Sequence, residues 1–96
     1  MIRSFGDDAT ADVFNGRNSA RARRFPQDVR RIAEKKFDML DGARLLEDLR
    51  CPPGNRLEAM KGDRAGKHGI RVNDQWRLVF RWTETGPAEV VLEDYH

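Results

Sequence analysis

At 96 residues, with 39% apolar and 35% charged side chains, the chain has the size and composition of one folded domain spanning 1–96, and not of a disordered segment. No stretch approaches the roughly 20 apolar residues of a membrane span, and no apolar run follows the first basic residue, so neither a membrane anchor nor a signal peptide is expected. Cys51 is the only cysteine, which excludes an internal disulfide and a cysteine-based zinc site and makes a reducing cytoplasm the simplest compartment.

In chain order, Met1 to Phe5 reads as a short first strand. Asp7 and Asp8 are suited to cap a short helix over Ala9 to Phe14, with Gly16 ending it. Arg17 to Arg24 is a basic connector. Pro26 sits well at the first position of a second helix, whose Val29, Ile32, Ala33, Phe37 and Leu40 recur at steps of three and four along one stripe. Gly42 stops that helix, and Leu45, Leu46 and Leu49 predict one more helical turn. Pro52, Pro53 and Gly54 then close the helical half.

Strands are predicted after this break, over Arg56 to Met60 and Gly69 to Val72, with Asn73-Asp74 as a hairpin turn. Trp76, Leu78, Phe80 and Trp82 alternate with Arg77, Val79 and Arg81, the clearest period-two signal in the chain. Thr83 to Pro87 turns into a last strand, Ala88 to Tyr95. The expected class is α+β: an N-terminal strand and two helices packed on an antiparallel sheet. The four large apolar residues of the alternating strand face the helices, which sends Arg77 and Arg81 to the opposite face.

Charge is unevenly spread. Between Arg17 and Lys36 eight basic residues stand against Asp28 and Glu34, and arginine strongly outnumbers lysine throughout. A guanidinium binds phosphate bidentately and stacks on bases, so this bias suits a polyanion such as RNA, with Arg21, Arg23, Arg24, Arg30 and Arg31 as the expected contacts. The final residues add chemistry. Asp94, Tyr95 and His96 bring an acid, a phenol and an imidazole together at the end of a strand. Val90 and Leu92 should face the core, so strict alternation would send Asp94 and His96 the same way. A bulge or an exit from the sheet is needed if all three terminal residues serve one site.

Three segments taken together carry a resemblance: "NRLEAMKGDRAG", "IRVNDQWRLVFRW" and the terminal "EDYH". With "MIRSF" and "ARRFPQDVRRIAEKKFDMLDGARLLEDLR", they make nearly the whole chain resemble the HigB-type toxins of the RelE superfamily. The resemblance implies a microbial-ribonuclease-like α+β fold and cleavage of messenger RNA in the ribosomal decoding site without a metal or other cofactor. It also implies a HigA-type helix-turn-helix antitoxin as partner, with operator DNA bound only through that antitoxin. By family motif, Lys61, Arg77, Asp94, Tyr95 and His96 hold functional positions. Glu58 stands where some members have histidine, and His68 where relatives often carry a larger aromatic; no catalytic role is assigned to His68.

Metal-free cleavage by 2′-hydroxyl attack needs a base, cations on the crowded phosphate, and an acid for the leaving 5′ oxygen. Lys61 and Arg77 suit the phosphate. His96 suits the acid or base, with Asp94 or Glu58 orienting or replacing it, and Tyr95 suits a stacked base. Arg64 and Arg81 join the expected RNA contacts. The alternative is a non-catalytic module that binds RNA or DNA, or docks an acidic partner, through its basic surface. The terminal Asp-Tyr-His, which such a module does not need, argues against it.

Overall fold

Alternation in the C-terminal half builds the sheet on which everything else is placed. In the computed structural model, which describes residues 1–94, the strands are β1 (Glu58–Ala59), β2 (His68–Arg71), β3 (Trp76–Thr83) and β4 (Gly86–Asp94). They form one antiparallel sheet in the order β1-β2-β3-β4. Two helices, α1 (Asp8–Phe14) and α2 (Gln27–Gly42), cover one face.

Local chemistry accounts for the helices. The Asp7 carboxylate accepts the Thr10 backbone N–H at 2.7 Å and caps α1, and Gly16 (φ 70°) takes the left-handed turn beyond it. Pro26 stands one residue before the first residue of α2, and the helix ends with Gly42. Val29, Ala33, Phe37 and Leu40 are buried, with Ile32 packed at the margin. They meet Ile70, Leu78, Phe80, Val90 and Leu92 from the sheet. Phe5, Phe14 and Phe37 form an aromatic cluster, with centroids 5.2–6.4 Å apart, and Trp76 meets Phe25 edge to face. The helical turn after α2 is 3₁₀, Leu46–Arg50; it buries Leu49 but leaves Leu45 exposed.

The strand expected at Met1 to Phe5 is not regular. It lies along the outer edge of β4, with Phe5 and Val90 forming a single parallel bridge. The cause is a bulge in β4. Glu89 and Val90 together oppose Phe80, and Glu89 has φ 55°. The bulge breaks the edge ladder, and the Glu89 N–H goes to the Ser4 hydroxyl instead. Further along β4, the buried Thr10 hydroxyl of α1 accepts the Leu92 N–H at 2.9 Å.

The strand expected at 56–60 shrinks to two residues. The β2–β3 connection is also longer than a two-residue turn: the Asn73 side chain accepts the N–H groups of both Gln75 and Trp76 at 2.8 Å. No helix among the described residues is long and apolar enough to cross a membrane.

Candidate functional site

Cross-strand register decides which side chains share the sheet face away from the helices. One row runs Arg71, Arg77, Glu93 across β2, β3 and β4; the next runs Glu58, Gly69, Val79, Val91 from β1 to β4. This face is not open. Val79 and Arg77 are only 2% and 8% exposed, although neither faces the helices.

The cover is the β1–β2 connection. Met60 is buried, its sulfur 3.0 Å from where a Cβ on Gly69 would stand. Arg64, in the 3₁₀ turn Gly62–Arg64, forms an ion pair with Glu93 of β4 and so draws the connection across the sheet. Gly62 takes φ 65° in that turn, a conformation that favours glycine. Lys61, immediately before it, is exposed on the covering segment.

Arg77 is the anchored cation of the site. Its Nη1 donates to the Asn73 carbonyl at 2.6 Å and to the Trp76 carbonyl at 3.2 Å. One carbonyl of the β2–β3 connection and one from the first residue of β3 thereby hold the guanidinium in place. Arg71 stands opposite it in register, a like-charge pair that is unfavourable in isolation. Asp74 relieves it. Its carboxylate is hydrogen-bonded by Arg71 and held below the usual carboxylate range, first by that bond, with Arg56 and Arg77 adding weaker attraction. Arg71 and Arg56 were not singled out from the sequence. Arg71 was accessible in principle, because Ile70 and Val72 are core residues and the residue between them must point the other way.

Asp94 ends β4 opposite Trp76, in the register of the helix-facing residues and not of Arg77. It accepts a hydrogen bond from Gln75 Nε2 at 3.0 Å. The only β4 bulge lies before Val90, so alternation continues unbroken from Leu92 to Asp94. Tyr95 and His96 lie outside the described residues. Glu58 is exposed and shares the face of Arg77, two strands across and two residues along, roughly 12 Å by strand geometry. Arg81 is exposed and paired with Glu89.

The basic segment divides. Asp12 of α1 is 2% exposed and accepts from Arg21 Nε and Ser19 Oγ, each at 2.7 Å. The Arg21 bond, then the Ser19 bond, pulls its carboxyl below the usual range. Arg21 also reaches Asp8 at 3.4 Å, so its first task is to close the connector onto α1. Arg23 donates to the Asn18 carbonyl at 2.7 Å. Arg24 and Arg31 are exposed, whereas Arg30 is half-buried. Asn55, fully buried, was not anticipated either: it donates to the Leu49 carbonyl and accepts from Lys36, whose ammonium is pushed below its ordinary pKa by burial and then by Arg71.

Comparison with known proteins bears on what this face does. A family model described as "RelE-like toxin of type II toxin-antitoxin system HigB" matches residues 3–96. The chain is 42% identical over 75 residues to Toxin HigB-1 of Vibrio cholerae serotype O1, covering 78% of this chain and 79% of that protein. It is 32% identical over 72 residues to an uncharacterized protein of Haemophilus influenzae, covering 75% and 71%. Among solved structures it resembles the YoeB-YefM complex from Staphylococcus aureus with a TM-score of 0.61 and 11% identity, over 100% of this chain and 98% of that one. At that identity the likeness is one of fold.

Proposed function

Because this chain belongs to the HigB-like family of RelE-like toxins of type II toxin–antitoxin systems, we propose that it is a ribosome-dependent endoribonuclease that cleaves messenger RNA and so halts translation. The whole of 1–96 acts as one toxin domain in this reading. Its partner is a HigA-type helix-turn-helix antitoxin, through which alone the pair would meet operator DNA. The ribosome supplies the messenger RNA, in the cytoplasm. The observation that carries the reading is the buried, doubly anchored Arg77, a functional position by family motif together with Lys61.

Each proposed step is assigned to a residue of this chain. The 2′-hydroxyl attacks the adjacent phosphorus, and the 5′ oxygen leaves. Arg77 binds the phosphate oxygens as charge builds on them, in a geometry set before substrate arrives, and Lys61 adds a second charge from the covering segment. His96 serves as the acid or base, with Glu58, on the face of Arg77, as the carboxylate able to share that role and Asp94, at the end of β4 in the other register, able to orient it. Tyr95 stacks on or positions a base. The products are a 2′,3′-cyclic phosphate and a 5′-hydroxyl. Arg24, Arg31 and Arg81, on exposed surfaces, contribute ribosomal RNA contacts, with Arg23 and Arg64 adding theirs from the positions where Asn18 and Glu93 hold them.

Primer extension on messenger RNA incubated with the protein tests this, with and without ribosomes. Cleavage confined to the ribosome-bound message is expected. Equal cleavage of free message would remove the ribosome from the account, and no cleavage of either would remove the nuclease.

A further inference from the structure

The end of α1, the connector and the first turns of α2 enclose a groove of about 520 Å³, lined by no residue of the sheet. Its walls carry Arg17, Arg23, Arg30 and Arg31, with Glu34 the one acidic lining residue. Two buried apolar side chains, Val13 and Ala22, also line it. The Nε of Arg30 is buried and has no hydrogen-bond acceptor among the described residues. A guanidinium N–H withdrawn from water without an acceptor is costly, and a ligand oxygen would relieve that cost. The Arg21–Asp12 and Arg23–Asn18 contacts hold one wall in shape before anything binds.

We propose that this groove docks an acidic, extended segment of the antitoxin, whose carboxylates pair with its arginines, the Arg30 side chain turning its Nε–H out of the packing to meet one of them. The proposal rests on the reading of the chain as a toxin with a protein partner, and adds where that partner is gripped and by what chemistry. A peptide fits better than RNA on three counts. Phosphates of a folded RNA line a convex backbone and reach protruding arginine tips, whereas the Arg30 Nε is recessed and needs an acceptor on a slender stem. The apolar lining gives a peptide side chain something to bury against and gives a phosphate nothing. Glu34 repels a phosphate backbone but can accept a peptide N–H.

The test is nuclear magnetic resonance titration of the intact protein, following arginine Nε–H and backbone amide signals. The probes are a poly-glutamate peptide and an oligouridylate of matched charge. Poly-glutamate should shift the Arg30 Nε–H and the Gly16 and Gln27 amides, and oligouridylate should act mainly on Arg24 and Arg81. Arg30→Gln should weaken peptide binding about tenfold, the loss of one charge-assisted hydrogen bond. Arg17→Gln, which gives up only the 3.9 Å ion pair of a 70% exposed side chain with Asp12 and places no new charge beside that carboxylate, should weaken it as well. The proposal is overturned if neither probe moves Arg30, or if oligouridylate moves it as strongly as the peptide does. It is overturned too if both variants bind poly-glutamate as the parent does. Failure of the toxin reading looks different: peptide binding at Arg30 would persist while ribosome-bound message stayed uncut.

Discussion

Arg21 and Arg77 are both held by the fold, and by opposite means. For Arg21 the carboxylate is the buried partner: Asp12 lies in the interior while the arginine side chain remains 47% exposed. For Arg77 the arginine is the buried partner, and two backbone carbonyls at the start of β3, those of Asn73 and Trp76, accept from it. Burying an acid with its cation at the rim closes a connector onto a helix. Burying the cation demands acceptors arranged in advance, and the result is a guanidinium with little freedom to reorient. Counting charges along the chain cannot tell these uses apart. The most basic segment devotes part of its charge to its own closure, and the more constrained cation stands in the less basic half.

If that contrast is correct, the largest effect of a single substitution falls on Arg77. Arg77→Ala should lower the single-turnover rate on programmed ribosomes by about 10²–10³, with Arg77→Lys recovering only part, because a point charge replaces a planar fork. Since Arg77 is 8% exposed, the alanine variant should also lose stability, on the order of 1 kcal/mol for its hydrogen bonds, read as a lower urea midpoint. Alternation alone places Arg77 on the face away from the helices; its burial on that face is what gives its removal a cost in stability.

Asp12→Asn should show the reverse profile, lowering stability while leaving cleavage near the parental rate. Its pH dependence has a definite sign. The folded-state pKa of Asp12 is depressed, so its stabilisation is present above the unfolded value of about 3.9 and is lost as pH falls through the folded value. The gap in urea midpoint between parent and Asp12→Asn should therefore be wide at neutral pH and close in acid. A gap that widened in acid would contradict the assignment. The smallest effect belongs to Arg81→Gln. Its ion pair with Glu89 is about half exposed on both sides and should contribute under about 1 kcal/mol, although the loss of one phosphate contact should flatten the salt dependence of ribosome binding slightly.

What was legible from residue order follows the same division. The α2 stripe and the Trp76–Trp82 alternation each repeat a period that a single element can satisfy, and both elements formed as expected. The first strand did not, because its pairing depends on a bulge some 84 residues away at Glu89, which nothing in Met1–Phe5 announces. Arg71 was missed because its place beside Arg77 is a matter of register, and Asn55 because a buried amide after Pro-Pro-Gly looks like any turn residue. Arg21, expected as an RNA contact, also holds Asp12, a structural task that its own segment does not announce because Asp12 sits on a different element. The family was legible because "KGDR", "NDQWR" and "DYH" occur together in one short chain, and the family model matches residues 3–96.

The central claim is cleavage by the message's own 2′-hydroxyl on this protein's sheet face. It is tested most directly with ribosomes programmed by two messages that differ only at the scissile nucleotide, ribose in one and 2′-deoxyribose in the other. The account predicts rapid cutting of the first, with a 2′,3′-cyclic phosphate and a 5′-hydroxyl at the new ends, and no cutting of the second at that position. Cleavage of the deoxy-substituted message at the parental rate would contradict it.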